Sequence, residues 1–166
     1  MALQAQTSTS TLAYVAETTF GVTPVAAAFK ELPRSEFTLG SQPENLTDST
    51  IRSDRQTAYS RRGNTSTEGE LTAVARPDAY DELMEAALQG TWTDNTLSIG
   101  KKLRSFSVER GFEFETGYSF QVFAGVVVNT MSMEVTPDEL VNITFGLTGT
   151  DESPFSTTSA DGSGYT

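Results

Sequence analysis

The chain has 166 residues, no Cys and no His, and 22 acidic against 11 basic side chains, for a formal net charge of −11. Disulfide scaffolds, thiolate or imidazole metal sites, a thiol nucleophile and a histidine base are therefore excluded. Adhesion to nucleic acid is disfavoured too, because it needs Lys and Arg to displace counterions from phosphates.

Leu, Ile, Val and Phe make up 36 of the 166 residues, and 23 of those 36 fall within residues 66–149. The middle and later chain is thus expected to hold the core, flanked by an N-terminal arm over residues 1–34 and a flexible C-terminal tail over residues 150–166. The N-terminus has no basic segment followed by an apolar one, and no run approaches a membrane span. A soluble protein made inside the cell is expected, with no membrane contact.

A short apolar element at residues 12–20 is followed by a turn signal at Gly21 to Pro24. Residues 36–40 read as a strand with Phe37 and Leu39 on one face. From residue 41 to 63 the chain is polar, has few side chains to bury and reads as a long loop. That loop gathers Arg52, Arg55, Arg61 and Arg62 around Asp54, next to Ile51. Residues 105–166 carry one base against nine acids, so each copy presents a basic loop and an acidic end, as head-to-tail association requires. The loop is accordingly expected to be an interface between copies, with Arg52 and Arg55 meeting acids of a neighbouring copy.

Residues 65–75 alternate, with Thr67, Gly69, Leu71 and Ala73 on one side and Ser66, Glu68, Glu70 and Thr72 on the other, the period of a half-buried strand. Pro77 is placed at the start of the one helix, residues 77–89, whose stripe Tyr80, Leu83, Met84, Ala87 and Leu88 covers a sheet. Gly90 is expected to end it in the left-handed conformation. The remainder reads as β. Residues 103–110 carry Phe106 and Val108 on one face and Ser105, Ser107 and Glu109 on the other, and residues 118–135 form a long apolar-rich strand. Pro137 and Asp138 turn the chain into a partner strand at 141–148, with Asn142 and Thr144 on its polar face.

Chemistry is scarce. Ser98 and Lys101 reproduce an S-x-x-K spacing but fall at a strand-to-turn junction without companion motifs. Glu113 and Glu115 sit in a Gly-flanked turn, where solvation explains them better than a glycosidase pair does. No calcium-loop pattern occurs. No catalytic residue, cofactor or metal is assigned, and an enzyme is not expected.

Several phrases, taken in their order and spacing, resemble a known family. They are ETTFGVTP at residues 17–24, IRSDRQ at 51–56, the helix of residues 77–92 ending in ALQGTW, SFSVERGF at 105–112, FAGVVVNTMSMEV at 123–135, and Pro137 with the strand ending FGLTG at Gly149. Over about residues 13–149 the chain resembles the tail tube (major tail) proteins of long-tailed, non-contractile bacteriophages. The resemblance implies a mainly β, sandwich- or barrel-like fold over residues 35–149, with one flanking helix, a long inter-subunit loop and extended termini. It further implies rings of six copies stacked head to tail into a hollow virion tail made in the bacterial cytoplasm. Implied partners are the tape measure, tail terminator and distal tail proteins, and DNA that passes through the tube without specific binding. A lumen faced with hydroxyls and carboxylates would repel phosphates. Either Ser66, Glu68, Glu70 and Thr72, or Ser132, Glu134, Asn142 and Thr144, are expected to line it. The competing reading is a β-sandwich binding module, receptor-binding or capsid-decorating.

Overall fold

A computed structural model describes residues 10–47, 60–114 and 117–161, with backbone alone at 43–45, 47, 60 and 62. In chain order the elements are β1 Thr11–Ala16, β2 Lys30–Glu31, β3 Glu36–Phe37, β4 Gly40–Thr47, β5 Ser60–Val74, α1 Asp81–Ala87, β6 Trp92–Thr93, β7 Thr96–Leu97, β8 Phe106–Phe114, β9 Gly117–Glu134, β10 Asn142–Gly149 and β11 Asp151–Glu152. The main sheet runs β2-β1-β8-β9-β10-β5-β3, with β4 also on β5 and β11 on β9, and β6 and β7 form a separate hairpin. Every pairing among these strands is antiparallel.

Strand β9 is the spine of a curled half-barrel. Its first half pairs β8 and its second half pairs β10. Between the halves the register slips twice, once where Phe106 faces Val126 but Val108 faces Phe123, and once beside Gly146 and Leu147. Extra residues in one strand bend it and sharpen its twist, which is how a single 18-residue strand serves two differently facing half-sheets. Gly125 takes a φ of 65° at the first slip, a conformation open to Gly at little steric cost.

The concave side is filled with Leu12, Tyr14, Leu71, Phe106, Phe123, Ile143 and Phe145, all at most 3% exposed. Helix α1 closes the open side with Leu83 and Ala86. Just ahead of it, the Tyr80 ring lies 6.2 Å from that of Phe145, and Tyr80 Oη donates to the Pro33 carbonyl at 2.6 Å. Burial first, and then the carboxylates of Glu82 and Asp81, push the Tyr14 phenol above its usual value.

Several boundaries depart from the sequence reading. The apolar-poor first third is not an arm throughout: β1 lies within the sheet against β8, and Leu12, Ala13, Tyr14, Phe29 and Leu32 are buried. Sparse apolar residues suffice there because neighbouring strands supply the rest of the core. Within the polar stretch 41–63, the described flanks 41–47 and 60–63 pair as strands β4 and β5, since strand pairing satisfies a backbone without apolar side chains.

Pro77 opens a turn rather than the helix, with Asp78 at φ 64°, and α1 begins at Asp81. The helix ends on Gln89 at φ 51°, with Gln89 N–H bonded to the Ala86 carbonyl and Gly90 N–H to that of Glu85, a Schellman arrangement. Gly90 therefore stands one residue past the left-handed position. Its hydrogen is required by packing, since a Cβ there would lie 2.0 Å from the Ser98 carbonyl oxygen.

Candidate assembly surfaces

The alternation of residues 65–75 gives β5 two unlike faces. Thr67, Leu71 and Ala73 are fully buried in the core, while Glu68 and Glu70 are exposed on the other side. Strand register extends that outer face across the sheet: Thr72 stands opposite Thr144, which stands opposite Ser132, and Asn142 stands opposite Glu134. Glu36 joins it opposite Thr72. The two residue sets considered as alternatives in the sequence are thus a single surface, tied by a Thr72–Thr144 hydroxyl contact of 3.3 Å. Four carboxylates, Glu36, Glu68, Glu70 and Glu134, share it with hydroxyls and an amide. Its strands β5, β9 and β10 contribute no Lys or Arg to this face over residues 64–74, 127–134 and 142–149.

The β4–β5 arm extends this sheet beyond β10, which stops pairing at Thr67. Arg61 is exposed on the arm opposite Leu46, itself 53% exposed. Arg62 stands opposite Asn45. Ile51, Arg52, Asp54 and Arg55 lie outside the described residues. Strand β4 forms a margin of the sheet and carries Pro43, a residue confined to sheet edges because it cannot donate to a ladder.

The face formed by Ser105, Ser107 and Glu109 departs most from expectation, for Ser107 and Glu109 are completely buried. Two chain segments cover it. Glu17 accepts hydrogen bonds from Ser105 Oγ (2.7 Å), Ser107 Oγ (2.8 Å), Gly21 N–H (2.8 Å) and Gly125 N–H (2.9 Å). Burial raises the Glu17 carboxyl pKa, but those donors, Gly125 first, outweigh it and hold the group below its ordinary value. At the other end, Ser159 Oγ donates to Glu109 at 2.6 Å and Ala160 N–H donates to the same carboxylate.

The C-terminal segment is therefore docked as far as residue 161 rather than free. Strand β11 pairs β9, and Phe120 and Ser156 exchange backbone bonds. Nearby, Arg110 lies against the Phe112 and Phe123 rings at 5.1 and 5.4 Å. Its Nη2 donates to Gln121 Oε1 at 2.7 Å, and Gln121 in turn donates to Glu152. Burial lowers the Arg110 pKa while Glu152 opposes the shift.

Trp92 is 36% exposed on the β6–β7 hairpin. Asp94 and Asn95 turn that hairpin with positive φ at both positions, the backbone twist favoured in two-residue hairpins. Arg104 binds Glu85 at 2.7 Å beneath it.

Among the described residues the chain thus forms a curled antiparallel half-barrel with one helix and a polar sheet face turned away from the core. The chain matches the family described as phage tail tube protein over residues 7–166, and it belongs to that family. It is a structural tail tube protein, not an enzyme. Solved structures share the fold at low identity. A chain of the SPP1 tail tube superposes with a TM-score of 0.57 at 16% identity, covering 90% of this chain and 77% of that one. A chain of the six-fold symmetrised anti-feeding prophage baseplate gives 0.65 at 8% identity, covering 92% and 96%. The tube-terminating cap of the same particle gives 0.58 at 12%, covering 95% of each. No curated protein sequence matches the chain. Among the described residues no helix is long and apolar enough to cross a membrane.

Proposed function

We propose that this chain forms rings of six copies, stacked head to tail, whose shared inner wall is the outer face of the β5–β10–β9 sheet. The observation that carries the reading is that face: carboxylates and hydroxyls, its glutamates exposed, on the side of the sheet opposite the buried core. A wall of this kind offers phosphates no cations to release counterions against, so a polyanion slides through it without adhering. The open margin at β4 is the kind of edge that closure with neighbouring strands removes.

In the same reading the tape measure protein and then DNA occupy the channel, terminator and distal tail proteins cap the tube, and the tail is built in the bacterial cytoplasm. The arm of residues 41–63, with Ile51, Arg52, Asp54, Arg55, Arg61 and Arg62, makes the contact between rings. The test is accessibility. A Glu70→Cys variant, the sole thiol in the chain, should react with a small maleimide both as monomer and as tube. A maleimide coupled to a large globular protein should label only the monomer. Equal labelling of both states by the large reagent would place Glu70 on the outside and end the proposal.

A further inference from the structure

Among the exposed apolar side chains of the described residues, two groups lie apart from each other along β9. One is the tip of the β9–β10 hairpin, where Met133, Val135 and Leu140 are 52%, 69% and 69% exposed. Around them stand Glu134, Asp138 and Glu139, all exposed, and residues 131–141 contain no base. A turn of this kind needs only Pro137 and Asp138, the latter at φ 66°, so its solvent-facing aliphatic side chains are unexplained by the monomer.

The other feature is a cleft of about 500 Å³ between residues 16–20 and 102–105, lined by Phe20, Leu103 and Val127. Leu103 is 80% and Phe20 59% exposed. Lys102 lines it and Lys101 precedes it in the chain, both exposed. Of the other charged groups at the cleft, Arg104 is bound to Glu85, and Glu17 is engaged by its four donors.

The two surfaces are complementary: aliphatic side chains ringed by acids, and an apolar cleft beside two bases. They cannot meet within one molecule. Val127 and Glu134 sit on the same extended strand, which at roughly 3.3 Å per residue separates them by about 20 Å. We propose that the β9–β10 tip of one copy seats Leu140 and Val135 in the Phe20–Leu103–Val127 cleft of another, with Lys101 and Lys102 facing Glu134, Asp138 and Glu139. A contact between two different patches of identical chains is heterologous and propagates into rings or stacks. The inference deepens the tube reading by naming a contact separate from the β4–β5 arm, and it rests on that reading only for the identity of the partner.

The chain has no cysteine, so introduced thiols report without background. A Leu103→Cys/Leu140→Cys double variant, concentrated to assembly and mildly oxidised, should give a ladder of covalent dimers, trimers and longer species. Each single variant should give none. Dimers from Leu140→Cys alone would show tip meeting tip and overturn the heterologous contact.

Assembly of wild-type tubes with no ladder from the double variant would overturn the inference and leave the tube reading standing. If the wild-type chain makes no tubes, the tube reading fails, whereas a ladder from the double variant would still support this contact and its absence would refute it. As a second measure, Leu140→Ser, at a site already exposed in the monomer, should raise the concentration needed for assembly by about tenfold or more, as expected for losing one buried leucine. An unchanged threshold would count equally against the contact.

Discussion

Replacing Glu17 by Ala removes one carboxylate and strands four donors. Two of them, the Gly21 N–H and the Ser105 hydroxyl, lie at exposed or half-buried positions and can turn to water. Ser107 is buried but its hydroxyl still has Thr23 Oγ1 at 2.9 Å, so the buried Gly125 N–H is the donor left without a partner. An orphaned buried donor costs about 1–3 kcal/mol, and the substitution should lower stability by about that amount. For a chain of this size, each kcal/mol moves the melting midpoint by roughly 2–4 °C, which puts the expected fall at about 2–12 °C. Glu17→Gln retains an acceptor and should lose less than half as much. Urea unfolding of dilute monomer at neutral pH, followed by tryptophan fluorescence and far-ultraviolet dichroism, measures both. A Glu17→Ala midpoint indistinguishable from wild type would refute the assignment of Glu17 as the clamp that holds residues 17–23 over β8.

Other expectations follow from the same geometry. The stability gap between wild type and Glu17→Gln should be pH-dependent. The Glu17 pKa is lower in the folded chain than its ordinary value of 4.5, so its contribution is complete above that value and disappears as pH falls through the folded one; a gap that stays constant from neutral pH into strong acid would contradict this. Gly69→Ala should destabilise by about 1–3 kcal/mol, because its Cβ would lie 2.4 Å from Leu39 Cα, whereas Gly40→Ala, with its nearest atom at 3.8 Å, should lose far less; thermal melts of the pair decide it. Phe145→Ala should lose about 3–5 kcal/mol, since the ring is fully buried beneath Tyr80, as read by chemical denaturation. A Glu68→Lys/Glu70→Lys/Glu134→Lys variant should still fold and should retain DNA in a salt-dependent manner, measurable by co-sedimentation; binding indifferent to salt would argue against the repulsive wall.

Legibility in the sequence followed the number of faces a strand shows to solvent. Strands β5 and β10 each bury one side, so the period-2 pattern of Thr67, Leu71 and Ala73, or of Ile143, Phe145 and Leu147, shows in the residues themselves. Strand β8 has the same written pattern, yet both of its faces are covered. Nothing local announces this, because the covering groups, Glu17 and Ser159, lie about 90 residues before Ser107 and 50 after Glu109. The dipeptides Pro77-Asp78 and Pro137-Asp138 make the same kind of turn, with Asp at positive φ in both. Only the second was expected as a turn, because an amphipathic stripe after Pro77 invited a helix reading four residues too early. The polar faces proposed for the lumen were legible as faces, but their union needed the register that places β10 between β5 and β9. The arginine-rich segment was legible as a loop too polar to bury, and strand pairing accounts for its described flanks, residues 41–47 and 60–63.

The central claim is that the convex carboxylate and hydroxyl face becomes an inner wall when copies assemble. A cryo-electron microscopy reconstruction of concentrated purified protein tests it directly. A hollow tube of stacked rings with Glu68, Glu70, Thr144 and Glu134 turned toward the bore is the expected result. Particles that remain single at every concentration, or a tube with those residues on its outer surface, would contradict it.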